Sequence, residues 1–143
     1  MALKQLTVFV ENKQGTVVEV TKALAANDIN IRALSIAETE GFGILRLIVD
    51  QEQKAEAVLA EAGYLIKITE VAGVKIGDAP GKLSGALVVL NEAGINIEYM
   101  YAFMARTERH AYVVLRVPDN QEAESVLEKA GYHIITEADV NKL

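Results

Sequence analysis

The chain says the same thing twice. Asn12-Lys13-Gln14-Gly15, followed by Asp28-Ile29-Asn30-Ile31, recurs 66 residues later as Asp78-Ala79-Pro80-Gly81, followed by Gly94-Ile95-Asn96-Ile97. Ala55, Val58-Leu59 and Ala62-Gly63-Tyr64 recur at a spacing of 68 as Ala123, Val126-Leu127 and Ala130-Gly131-Tyr132. Ile68-Thr69-Glu70 returns at 67 as Ile135-Thr136-Glu137. The drift in spacing falls where loops belong. A period this long describes two copies of a small domain rather than an array of short repeats. The expected domains are residues 1–70 and 71–143. At about 70 residues a single core is only marginally stable, so each copy is expected to lean on its twin or on a second chain.

Each copy reads strand, helix, strand, strand, helix, strand. Leu3 to Val10 carries the β-branched and aromatic residues of a strand. Gly15 opens a helical stretch with Val17, Val20, Thr21 and Leu24 on one face. Ile29 to Glu38 and Phe42 to Val49 are paired strands around Glu40-Gly41, where glycine supplies the positive φ of a tight turn. Ala55, Val58, Leu59 and Ala62 follow helical spacing, and Gly63 ends that helix. Tyr64 to Glu70 is the fourth strand. In the second copy Val71 to Ile76 is a strand, and Pro80-Gly81 opens the helix, with proline at the first helical position. Leu83, Leu87 and Leu90 form its buried stripe. A hairpin of Ile95 to Met104 and Ala111 to Val117 turns at Thr107-Glu108. A helix over Ala123 to Ala130 and a last strand from Tyr132 to Glu137 complete it. This order predicts an α+β chain of two ferredoxin-like βαββαβ units, each a four-stranded antiparallel sheet with two helices on one face.

Strand Ala111 to Val117 offers apolar residues to both faces, so both faces are expected to be buried. Only about three residues, Val71-Ala72-Gly73, separate the units. A side-by-side sheet joined through both second strands needs a junction of nearly 30 Å, whereas stacked sheets need ~10 Å. Stacked sheets follow, unless a strand swaps between units, and the free edge strands are left to pair with another chain.

The net charge of −6 argues against a nucleic-acid backbone or an anionic membrane surface as the main partner. With no cysteine, disulfides, thiolate catalysis and thiolate metal sites are excluded. No apolar run approaches the ~20 residues that cross a bilayer, and no secretory leader is visible after Met1. A cytoplasmic protein is expected, with no cofactor and no metal.

The loop between first strand and first helix is the sharpest chemical candidate: Asn12, Lys13, Gln14 and Gly15 in one copy, Asp78, Ala79, Pro80, Gly81 and Lys82 in the other. A glycine at a helix start leaves backbone N–H groups open to a carboxylate. The Asn12 or Asp78 oxygen then suits an ammonium group, and the two halves together recognise a free α-amino acid. The plainer reading is that Asn12 and Asp78 are helix N-caps. Asn30 and Asn96 fall just inside the second strands, where asparagine is disfavoured. Either a polar ligand or a shared turn bond accounts for keeping both.

The Asp-x-Pro-Gly at Asp78 to Gly81, with Gly94-Ile95-Asn96-Ile97 and the βαββαβ pattern, resembles the ACT domain. The Asn12 to Gly15 loop with Asp28-Ile29-Asn30-Ile31 resembles a second copy in which Gln14 replaces the proline. The resemblance covers about Leu3 to Val140. It implies a regulatory module that binds an amino acid where the first loop of one unit meets the second strand of a neighbouring unit. Asn12, Gly15, Asp78 and Gly81 then fall in the loop, and Asn30 and Asn96 on the facing strand. It further implies a homo-oligomer, a dimer, working on an enzyme of amino-acid metabolism, with no catalysis of its own. The main alternative is a protein-interaction module that regulates a partner enzyme without a ligand.

Other readings fit less. Glu40 to Leu47 echoes an RNA-binding signature, but Glu40 stands where a basic residue belongs, and Ile44 and Leu47 where stacking aromatics belong. Gly77 to Lys82 is one residue short of a phosphate-binding loop, with Leu83 in place of the Ser/Thr that holds magnesium. His110 and His133 have no motif partner for a triad or a metal.

Overall fold

The structure is a computed structural model and describes residues 2–104 and 110–142. Contacts divide the chain into a unit of residues 4–69 and a unit of residues 70–142 that also takes in residues 2–3. In chain order the first elements are β1 (Leu3–Glu11), α1 (Thr16–Ala26), β2 (Ile31–Glu38), β3 (Phe42–Val49), α2 (Glu52–Glu61) and β4 (Leu65–Gly77).

In the first unit the strands lie in the order β2-β3-β1-β4. Leu6 faces Leu47 and Val8 faces Leu45 across β1 and β3. These residues share a sheet face with Val10 and Val49, and Val20 and Leu24 of α1 and Ala55 and Leu59 of α2 pack onto that face. Buried Thr16, Val20 and Leu24 recur every four residues, as a helix lying on a sheet requires. Gly41 turns the β2–β3 hairpin at φ 83, and the Thr39 N–H bonds the Phe42 carbonyl at 2.9 Å. Gly63, at φ 94, follows the C-cap Ala62 of α2. The opposite sheet face mixes buried Ala33 and Ile48 with polar groups: Gln5 Nε2 donates to Thr7 Oγ1 at 3.0 Å, and Thr7 and Thr69 hydroxyls lie 3.3 Å apart.

The second unit uses the last part of β4, then α3 (Lys82–Glu92), β5 (Tyr99–Met104), β6 (His110–Arg116), α4 (Asn120–Lys129), β7 (His133–Ile134) and α5 (Glu137–Asn141). β6 pairs with β4 and β5, and β7 pairs with β4, which repeats the first unit's order. Ala86 and Leu90 of α3 and Ala123 and Leu127 of α4 cover Val74, Val113 and Leu115. Leu83 and Leu87 are half-buried against this core rather than fully enclosed. Tyr112 and Val114, on the other face of β6, are buried as well. The fold is that of two ferredoxin-like βαββαβ units.

Two local expectations change, and a third falls outside the described residues. Val71, Ala72 and Gly73 are not a linker: they lie inside the continuous 13-residue strand β4. With no linker to span, the distance argument for stacked sheets loses its premise. The expected turn at Thr107-Glu108 lies outside the described residues. The last strand shrinks to His133–Ile134, because Thr136 caps a helix that the repeat did not announce. The Asp139 N–H bonds Thr136 Oγ1 at 3.2 Å, and the Thr136 N–H bonds Asp139 Oδ2 at 2.9 Å. This reciprocal pair satisfies two helix-start donors. Thr69 and Thr136 hold the same place in the repeat, yet only Thr136 has an acid three residues on.

The Thr136 N–H bond, followed by the neighbouring His133, holds the Asp139 carboxyl below its ordinary value of 3.8. A depressed folded-state pKa contributes stability that is complete above the unfolded value and lost as pH falls through the folded one. Asp139→Ala should therefore cost about 0.5–2 kcal/mol at pH 7. The gap between variant and parent urea midpoints should close as the pH drops below about 4.

Candidate functional site

The two first-loop corners share the bond that closes the turn. The Thr16 N–H reaches the Lys13 carbonyl at 3.4 Å, and the Lys82 N–H reaches the Ala79 carbonyl at 3.2 Å. Gly15 sits at φ 92, ψ −16 and Gly81 at φ 86, ψ −9. These are the third positions of type II turns, which demand positive φ and favour proline just before. Pro80 thus belongs to the turn, two residues ahead of α3, and not to the first helical position. A Cβ on either glycine would meet nothing within 4 Å. Conformation, not space, is what requires glycine there.

Each turn delivers the chain straight into an 11-residue helix with a glycine as N-cap and no side-chain cap. The first helical bonds are Glu19 N–H to the Gly15 carbonyl at 3.1 Å and Gly85 N–H to the Gly81 carbonyl at 2.9 Å. N–H groups in the turn before them have no acceptor within the helix. Asn12 and Asp78 do not cap, so the plainer reading of these two residues is not what the structure adopts.

Asn12, Lys13, Gln14, Gly15, Asp78, Ala79, Pro80, Gly81 and Lys82 are all exposed. Lys13 Nζ pairs with Glu11 Oε2 at 3.0 Å, and that hydrogen bond and charge hold the lysine above its ordinary value. The Lys82 stem folds back along Gly77, its carbons 3.5–3.6 Å from where a Cβ would stand.

Asn30 and Asn96 are exposed and stand before the strands rather than inside them: β2 begins at Ile31 and β5 at Tyr99. A register shift between Ile31 and Ala33 disturbs the start of β2. The Asn30 N–H bonds Asp50 Oδ1 at 3.0 Å, and the Asp50 N–H returns to the Asn30 carbonyl at 3.2 Å. No side-chain bond of either asparagine is found among the described residues. Within a unit these asparagines follow the far end of the helix that the glycine corner opens. Eleven residues at ~1.5 Å each put ~16 Å between them.

Two clefts flank the first corner, and sequence reasoning found neither. One, of about 330 Å³, lies between Asn12, Lys13 and Val17 on one side and Ile36 and Glu38 of β2 on the other. Ile36, on the wall of this cleft, is 54% exposed. The other cleft faces the Gly63–Leu65 turn. Among the described residues no group of acidic and histidine side chains is placed to hold a metal. Among them, too, no helix is long and apolar enough to cross a membrane.

A family model described as an ACT domain pair matches residues 1–143. The chain belongs to the ACT domain pair family. Protein BT0572 from Bacteroides thetaiotaomicron is 39% identical over 100% of this chain and 98% of that one, with a TM-score of 0.93. The ligand-free regulatory subunit of aspartate kinase from Thermus thermophilus shares the fold at 19% identity and a TM-score of 0.68, over 92% and 94% of the chains. The corresponding subunit from Thermus flavus does so at 19% identity and 0.61, over 91% and 93%. No match is found among curated proteins.

In this ACT domain pair the corner glycines carry a conformational load that can be measured. Gly15→Ala and Gly81→Ala should each destabilise the chain by about 1–2 kcal/mol, the cost of a left-handed L-residue. Gly81→Asn should cost less, because asparagine tolerates that region. Chemical denaturation of the three variants checks the order.

Proposed function

We propose that this ACT domain pair binds a free α-amino acid and serves as a sensor or regulatory subunit, without chemistry of its own. The observation that carries the reading is the pair of uncapped helix starts behind Gly15 and Gly81. Open N–H groups at a helix start favour a carboxylate. Asn12 and Asp78, which do not cap these helices, remain to take the ammonium group. The ligand lies at the first loop, from Asn12 to Gly15 or from Asp78 to Lys82, against the second-strand region of a neighbouring ACT unit. Asn30 or Asn96 faces it there. The assembly is a homodimer in the cytoplasm, and the partner an enzyme of amino-acid metabolism. Nucleic acid and membranes are not partners.

A ligand-free interaction module is the second reading, and the exposed Leu34 and Ile36 on the edge strand β2 favour it. The two readings part in a thermal-shift screen of the full chain against the twenty amino acids. Ligand at 100 times its Kd stabilises by about 2.7 kcal/mol, which raises Tm by several degrees. No shift with any of them would leave only the interaction module.

The corners differ in charge, since Asp78 replaces Asn12, with Lys82 beside it. Calorimetric titration should therefore resolve two unequal affinities. Asp78→Asn should weaken the site that prefers an ammonium group and leave the other unchanged. Two identical, independent sites in the parent chain would count against this assignment.

A further inference from the structure

The second cleft beside the first corner holds a buried hydroxyl with nothing to bond. Thr16, the first residue of α1, is 7% exposed, and its Oγ1 has no hydrogen-bond partner. Buried polar atoms are normally satisfied, so an orphan of this kind needs a reason. Thr16 lines a cleft of about 350 Å³ with Lys13, Glu11 and Glu19 on one side and the Gly63–Leu65 turn on the other. Tyr64 donates its hydroxyl to Glu19 Oε2 at 3.2 Å. Burial, and then Glu19, hold that hydroxyl above its ordinary value of 10.0, so it stays a donor at neutral pH.

The repeat supplies an internal control. Counted along the two copies, Lys82 stands for Thr16, Gly85 for Glu19 and Tyr132 for Tyr64. The Tyr132 hydroxyl lies 3.0 Å from where a Gly85 Cβ would be. In the second unit the tyrosine therefore occupies the space that the glutamate side chain takes in the first. At these two positions the first unit alone has the hydroxyl and the carboxylate.

We propose that this cleft is a binding site of its own, separate from the face of the corner that looks toward β2, and that its ligand is a small zwitterionic amino acid. The Lys13 ammonium and Thr16 hydroxyl receive the carboxylate. Glu19, already held by Tyr64, receives the ammonium group, and Glu11 keeps Lys13 in place. A bare anion is disfavoured, because two carboxylates and one ammonium line the cleft. The ligand class rests on the amino-acid reading above; the location does not.

Nuclear magnetic resonance on the ¹⁵N-labelled full chain tests this. The chain is titrated with each of the twenty amino acids, and separately with acetate and with methylammonium. At least one amino acid should shift the amides of Gly63, Tyr64 and Leu65, and neither half-ligand should. Thr16→Val and Glu19→Gln should each raise the midpoint of that shift about tenfold, as loss of a charge-assisted hydrogen bond does. Glu19 is exposed, so Glu19→Gln keeps the test valid if Thr16→Val does not fold. Shifts confined to Gly81 and Asn96 would leave the amino-acid reading standing and overturn this cleft. Silence of Gly63–Leu65 toward all twenty overturns it as well. So does saturation by acetate alone, or a midpoint that Glu19→Gln leaves unchanged.

Discussion

Everything in each unit hangs on a left-handed residue between the first strand and the first helix. A strand and a helix lying on its sheet face run in nearly opposite directions, and four residues must reverse the chain. A type II turn does this only if its third residue accepts positive φ. Gly15 and Gly81 accept it without strain, and the turn bond and the first helical bond around one are reproduced around the other. The turn fixes where the helix begins. From there the four-residue spacing of Thr16, Val20 and Leu24, or of Ala86 and Leu90, falls on the sheet. The same geometry leaves the helix start uncapped. The fold-determining turn and the chemically open corner are one feature.

Two copies of one turn need not keep one chemistry. The apolar frame is kept: leucines on the first helix, glycine after the second helix, a tyrosine directly following. What differs is the polar dressing. At Thr16 and Glu19 the first unit has a hydroxyl and a carboxylate; the second has Lys82 and Gly85. Where the glutamate is missing, the Tyr132 hydroxyl comes up against the helix at Gly85, whereas the Tyr64 hydroxyl bonds the Glu19 carboxylate. The exposed Lys13–Glu11 pair adds little to stability. Its effect is to set the charge at the corner's rim.

Much of this was legible in the residues. The repeat gave the duplicated βαββαβ order, because buried positions recur with a period that substitution on the surface does not disturb. Gly41 and Gly63 announced their turns, since few other residues tolerate positive φ. The errors came where one segment serves two masters. Val71–Gly73 looked like a junction, but β4 runs on unbroken, its residues apolar through that stretch. A strand that closes one unit and opens the next leaves no composition break to read. Thr136 looked like Thr69 and became a helix cap, because Asp139 offers a reciprocal bond that nothing three residues after Thr69 can make. The candidate site was half legible. Residues 12–15 and 78–82 could be named from motif and turn chemistry. The cleft at Thr16, Glu19 and Tyr64 could not, since it joins residues nearly fifty positions apart, and no spacing rule connects a helix start to a later turn.

The placement of Asn30 and Asn96 bears on how any corner ligand would act. Each asparagine follows the C-terminal end of the helix whose N-terminal end the glycine opens. A helix of that length exceeds the reach of any α-amino acid's backbone groups, so no single ligand touches corner and asparagine of one unit. A ligand that used both would have to draw them from different units. Its affinity would then depend on those units being held together, and by linkage its binding would favour their association to the same degree. A ligand satisfied by one unit alone, as in the Thr16 cleft, carries no such coupling. If both proposed ligands bind, one chain would present two kinds of response: occupancy that reports on assembly at the corners, and occupancy that reports on concentration alone in the cleft.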